Sequence, residues 1–172
     1  MKGKNHIITG VTTGIVTAFF TFSGSILGAG VTVAASALGS IIPDIDLPNS
    51  KAGSKLKPIA KVINKLFGHR TITHAPLWLI PLFLLYFKLP ELTSDLSLFA
   101  KTQIGCLLIG YISGFISHLL GDMLTKGGIP IFYPFKRYRF HLTPAPSGKY
   151  DVVLVLITTV IYILFYLFIN NI

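Results

Sequence analysis

A chain of 172 residues that is 52% hydrophobic and only 12% charged, with a mean hydropathy of +0.69, is too apolar for an ordinary soluble domain, where about a quarter of residues are charged. A net charge of +9 raises nucleic acid as a partner, but lysines and arginines also flank membrane spans and face anionic lipid, and their positions here favour the membrane. The single cysteine, Cys106, lies in the apolar run QIGCLLIGYISGF, which excludes an internal disulfide and any cysteine-built metal site.

The N-terminal MKGKNHIITG is basic ahead of an apolar stretch, as in a signal peptide. No small-residue cleavage site leads into a soluble domain, so it reads as a retained span. The apolar region from Ile7 to Ile42 is too long for one span of roughly 20 residues, and SGSILGAG (Ser23 to Gly30) interrupts it with glycines that suit a tight turn. The prediction is a helical hairpin, Ile7–Phe22 and Ile26–Ile42. Next comes SKLKPIAKVINKLFG, whose Leu56, Ile59, Ala60, Ile63, Leu66 and Phe67 recur at helical spacing among lysines. That pattern fits an amphipathic helix on the inner leaflet and equally an ordinary connector helix. Further spans are predicted over Ala75–Phe87, shortened or kinked by Pro76 and Pro81, over Gln103–Leu124 and over Val152–Ile169.

The fold class is therefore all-α: a polytopic helical membrane protein of about five transmembrane helices plus a cytoplasmic amphipathic helix, one domain over residues 1–172. In this layout all of the fifteen Lys and Arg except Lys88 and Lys101 fall on one side, which the positive-inside rule makes cytoplasmic, with the C-terminus outside.

All five histidines share that side with four of the six acidic residues, Glu91 and Asp95 being the exceptions. His118 and Asp122 are four apart within an apolar run, so a helix stacks them on one face. An ionised carboxylate inside a span is costly unless paired, which favours function over a His–Asp bond merely holding two helices together. In IIPDIDLP, Asp44 and Asp46 alternate, so an extended backbone aims both the same way and suits a divalent cation; a polar turn is the plainer alternative. In GHRTITH, His69 and His74 are five apart, out of helical register, so each reaches a centre separately from a loop. Arg70 between them adds a donor fork suited to phosphate. His6 at the start of the first span could complete the set. His141, in the aromatic and basic segment FYPFKRYRFHLTPAPSGKY, and Asp151, at the head of the last helix, are left without an assigned role.

NHIITG, LGSIIPDIDLPNS, FGHRTITH, GYISGFISHLLGDMLTKGGIPIFYPF and RYRF together resemble the YdjM-type family of bacterial inner-membrane proteins, taken to be metal-dependent hydrolases. The resemblance covers most of the chain in order and spacing, and places His6, Asp44, Asp46, His69, Arg70, Thr73, His74, His118 and Asp122 on the family's motif positions. One segment departs, reading RFHL where the family has an RFRL-like sequence. His118-x-x-Gly121-Asp122 followed by Pro130 is also similar to a segment of zinc-dependent phospholipases C and P1-type nucleases, and that likeness implies phosphoester chemistry.

The expectation is a membrane-bound metal-dependent phosphoester hydrolase acting on a lipid or lipid-linked phosphate, at the cytoplasmic face of the inner membrane. Its metal ligands are His6, Asp44, Asp46, His69, His74, His118 and Asp122. Its catalytic residues are Asp46, Asp122 and Arg70, and Arg137 and Arg139 join Arg70 on phosphate. Seven ligands exceed one tetrahedral shell, so there are either more ions than one or members that act from behind. Zinc is the first choice of cofactor, with Mn2+ or Mg2+ as alternatives, and nucleic acid is not an expected partner. The alternative is a non-enzymatic metal sensor, carrier or scaffold. Transport is disfavoured, because carriers place titratable groups near the midplane and on both faces.

Overall fold

The computed structural model describes residues 3–21, 25–136 and 138–142, with scattered further positions between 153 and 168. Its continuous helices are α1 (Gly3–Thr21), α2 (Ile26–Gly39), α3 (Lys57–Phe67), α4 (Leu79–Leu92) and α5 (Leu98–Met123). Short 3-10 turns occupy Ile42–Asp46, Ile72–His74 and Pro76–Trp78. Among the described residues there is no strand, only an isolated antiparallel bridge between Ile129 and Phe140.

Helices α1, α2 and α5 pack against one another, and small residues are the reason they can. A side chain at Gly114 of α5 would fall on the backbone of Ser36, and one at Gly10 of α1 would fall on the Ser40 side chain. The backbones are thus close enough for Ser36 Oγ to donate to the Gly10 carbonyl at 2.6 Å and for Ser113 Oγ to donate to Ser36 Oγ at 3.1 Å. This is how helices associate in lipid, where close contact and hydrogen bonds replace the hydrophobic drive. Along α1, buried Thr9, Thr13 and Thr17 return their hydroxyls to carbonyls four residues back.

The hairpin prediction holds, but its turn does not extend to Gly30. Ser25 already caps α2, its Oγ accepting from Gly28 N at 3.1 Å, and Gly28 and Gly30 lie inside the helix. There Gly28 provides room beside Cys106 Sγ of α5. Among the described residues, two stretches are long and apolar enough to cross a membrane, Ile26–Asp46 and Leu98–Met123. The segment predicted over Ala75–Phe87 starts as the 3-10 turn and continues as α4 to Leu92. Pro81 is accommodated in its first turn, where an amide has no helical partner to lose. Half of the predicted helix 152–169 falls outside the described residues. Positions described there are helical, and Thr159 Oγ1 lies 3.3 Å from Thr12 Oγ1 of α1.

Helix α3 begins with Pro58 in its first turn and stops at Gly68, whose φ of 77° breaks the helix. It buries only Ala60, leaving Ile59, Val62, Leu66 and Phe67 exposed and Lys57, Lys61 and Lys65 spaced four apart. The ends of α2 and α5, the start of α1 and the turns on both sides of α3 converge at one end of the molecule. There Phe115, Leu119 and Ile129 form an apolar cluster with Leu79, Met123 and Ile131.

Candidate metal centre

Every predicted site residue that is described comes to this convergence, Arg139 only at its edge, through the His69 carbonyl. His118 and Asp122, one turn apart on α5, are both fully buried, with His118 Nε2 3.5 Å from Asp122 Oδ2. His6 enters from the first turns of α1. Its ring stacks on His118 at a centroid distance of 3.9 Å, and its Nε2 lies 3.3 Å from Asp122 Oδ1.

Asp44 and Asp46 do not lie on extended backbone. Pro43 helps fold Ile42–Asp46 into a 3-10 turn, where residues two apart diverge instead of aligning. The two carboxylates consequently do different things. Asp44 faces inward, 3.5 Å from His74 Nε2 and 3.9 Å from His118 Nε2. Asp46 turns to the GHRTITH segment, accepting from His69 Nδ1 at 2.9 Å, the Arg70 amide at 2.9 Å and the Thr73 hydroxyl at 2.7 Å. Asn64 Nδ2 of α3 donates to the Asp46 carbonyl at 2.9 Å. One buried carboxylate therefore shapes the whole segment, and Arg70 is held at a positive φ of 56°.

Tautomers follow from these partners. An ionised Asp46 can only accept, so the Thr73 proton goes to it and Thr73 Oγ1 must accept from His74 Nδ1–H at 3.0 Å. His118 Nδ1–H donates to the Ser40 carbonyl at 2.7 Å. Both rings thus turn Nε2 toward the carboxylates of Asp44 and Asp122. The Nε2 atoms of His6, His74 and His118 are buried and make no hydrogen bond among the described residues. Burial lowers the pKa of His74, but Asp44, Asp46 and Asp122 around it outweigh burial and raise it above the usual 6.5.

Among the described residues, two groups have donor atoms close enough to share a cation: His6, His118 and Asp122; and Asp44, His74 and His118. His69 and Asp46 fall in neither group and pair with each other. Arg70 does not reach outward as a free phosphate fork. Its Nη2 donates to Asp122 Oδ1 at 2.8 Å, and its guanidinium lies so close over Gly127 that a side chain there would collide with it. Arg139 Nη2 donates to the His69 carbonyl at 2.7 Å, bracing the segment, while His141 is exposed. Arg137 and Asp151 lie outside the described residues. Sequence reasoning passed over Ser40, Asn64 and Gly127. The Gly127–Gly128 pair right after a span is the signal that marks the last as a close approach.

The match to known proteins covers the entire chain: residues 1–172 fit the family described as YdjM inner membrane protein. The chain belongs to that family. It is 40% identical over 111 residues to Inner membrane protein YdjM of Escherichia coli (strain K12), and equally to that of Shigella flexneri. In each case 64% of this chain and 52% of the relative are aligned, so the chain spans about half the length of these YdjM proteins. It is 32% identical over 134 residues to Uncharacterized protein YvsG of Bacillus subtilis (strain 168), covering 78% of this chain and 74% of the relative. No solved structure matches it. Family membership places the apolar helices in an inner-membrane protein, with the His/Asp cluster at one end of them.

Proposed function

We propose that this YdjM-family chain is a multi-pass inner-membrane hydrolase that uses a divalent metal, zinc first and Mn2+ or Mg2+ as alternatives, to cleave a phosphoester of a lipid or lipid-linked phosphate. About five spans would put the N-terminus and the cluster on the cytoplasmic side, since nearly all basic residues flank that end. The observation that carries the reading is that the buried Nε2 atoms of His6, His74 and His118 face carboxylates yet make no hydrogen bond among the described residues. Their separations of 3.3 and 3.5 Å exceed an ordinary N–H···O bond and match the edge of about 3.3–3.6 Å expected for a tetrahedron with bonds of ~2.0–2.2 Å.

Because His118 Nδ1 is committed to Ser40, only its Nε2 can ligate, and one nitrogen serves one ion. The two donor groups therefore describe one centre drawn from His6, Asp44, His74, His118 and Asp122. Outward bonds from His118 and His74 to a carbonyl and a hydroxyl are the outer contacts that metal-bound histidines characteristically make. A bound divalent cation would supply Lewis acidity, polarising a phosphoryl oxygen and acidifying water. Arg70 neutralises Asp122 and places a second positive charge at the site's edge. His69, its Nδ1–H fixed on Asp46 and its ring a third exposed, is positioned to pass a proton to a leaving group or take one from water.

The test is metal content by mass spectrometry of detergent-purified protein equilibrated with zinc or manganese, alongside His118→Ala/Asp122→Ala, followed by phosphate release from phosphatidic acid. Stoichiometric metal and turnover in the parent, both lost in a folded double variant, support the proposal. Turnover retained by the double variant refutes it, and metal without turnover leaves a metal-binding membrane protein instead.

A further inference from the structure

Two cavities flank the Ile42–Asp46 turn, and they differ in chemistry. On one side a groove of about 340 Å³ runs between α3, α4 and α5. Ile45, Ile63, Phe67, Trp78, Leu82 and Phe115 help line it, almost entirely through apolar atoms. On the other side a cavity of about 440 Å³ is bordered by Lys4, Lys51, His69 and Arg70, with Asp44 at its inner wall. Both volumes fall in the range of small-molecule sites. Residues alternate across the dividing segments: Ile45 faces the groove and Asp44 the polar cavity, and likewise Phe67 and His69 across the turn after α3.

We infer that the groove binds the hydrocarbon chain of an anionic lipid whose phosphate head occupies the cationic cavity beside the cluster. This deepens the phosphoester reading and rests on it for the fate of the head group. Three observations argue for a lipid over another occupant. The groove opens beneath α3, whose unburied apolar face and separate lysine row suit the surface of an anionic membrane. The cavity across the turn has the exposed Lys4 and Lys51 at its border, positive charge of the kind a phosphate head requires, with Asp44 of the proposed centre in its wall. Finally, Trp78 has its polar edge satisfied internally, its Nε1–H donating to the Ile72 carbonyl at 2.8 Å, so only its ring is offered to the groove.

Trp78 is also the chain's sole tryptophan and lines this groove, so its fluorescence senses what enters, and variants that fill the groove separate that signal from quenching at its exposed side. The experiment uses the full chain in detergent micelles titrated with phosphatidic acid carrying brominated acyl chains, and with the same brominated chains as an uncharged methyl ester. The expected result is saturable quenching near one phosphatidic acid per protein and weaker quenching by the ester. Ile63→Phe and Leu82→Phe, which fill the groove from two different helices, should each raise the half-saturation concentration roughly tenfold, with helicity and metal content unchanged. Linear, non-saturating quenching that is the same in parent and both variants means general partition into the micelle and overturns the inference. Hydrolysis of a soluble aryl phosphate monoester, measured on the same samples, separates the two readings. If it persists without saturable quenching, only the lipid groove falls. If saturable quenching is found in a protein that neither holds metal nor hydrolyses, the groove stands and the hydrolase reading falls.

Discussion

A single buried carboxylate can serve as a ligand or as a scaffold, and Asp44 and Asp46 divide these tasks although only Ile45 separates them. Asp46 is consumed by His69, Arg70 and Thr73, whereas Asp44 looks toward His74 and His118. Asp44→Asn is expected to abolish stoichiometric metal. Asp46→Asn is expected to keep it while weakening affinity or turnover by about 10–100-fold, as changes behind the ligands do; equal metal loss in both would refute the division. The raised pKa of His74 sets the pH dependence. A raised folded value stabilises the metal-free protein fully below the ordinary 6.5, and that contribution is lost as pH rises through the raised value. Metal needs the bare nitrogen, so affinity runs the opposite way, strengthening with pH over the same window, and binding should release a proton. Calorimetry in buffers of different ionisation enthalpy reads that release, and its absence would remove His74 from the ligand set. The i,i+4 pair His118 and Asp122 was legible in the sequence because helical period alone fixes it. The roles of Asp44 and Asp46 were not, since they depend on a 3-10 turn that Pro43 permits but no periodicity announces.

At the scale of elements, the sequence marked where helices exist and misjudged what their glycines do. Hydropathy located α2 and α5, and the lysine-spaced pattern located α3. Gly28 and Gly30 resembled a turn because glycine permits one, but whether a glycine bends a chain or admits a neighbouring helix is decided by packing partners far away in sequence. Gly114 meets the backbone of Ser36, which cannot swing aside. Gly114→Val should therefore destabilise the protein by about 1–3 kcal/mol or more, read from its unfolding midpoint in detergent. Gly127 is the contrasting case, because what lies over it is the flexible end of Arg70. Gly127→Ala should leave the unfolding midpoint nearly unchanged and metal bound, yet displace Arg70 from Asp122 and lower phosphoester turnover by roughly tenfold or more. If turnover is unaffected, the Arg70–Asp122 contact has no part in the chemistry.

For the whole molecule, orientation in the membrane decides which leaflet and which compartment the cluster meets. The basic residues concentrate at the end that carries the histidines, including Lys4 and Lys51 beside the polar cavity, while Lys88 and Lys101 stand apart with Glu91 and Asp95. If that charge is retained on the cytoplasmic side during insertion, the cluster is expected to face the cytoplasm. Cys106 is fully buried, so the native chain offers almost no background to a thiol reagent. Asn49, at the rim of the polar cavity, and Ser94, in the connection between α4 and α5, are both exposed and so accept a cysteine without disturbing the core. A membrane-impermeant maleimide added to intact spheroplasts is expected to label Ser94→Cys at once, and Asn49→Cys only after lysis. The reverse pattern would place the cluster outside, exposing it to lipids of the outer leaflet and contradicting the charge argument. Labelling of both in intact cells would show that Asn49 and Ser94 share the outer face, and that α4 and its flanking turns lie on the surface instead of crossing.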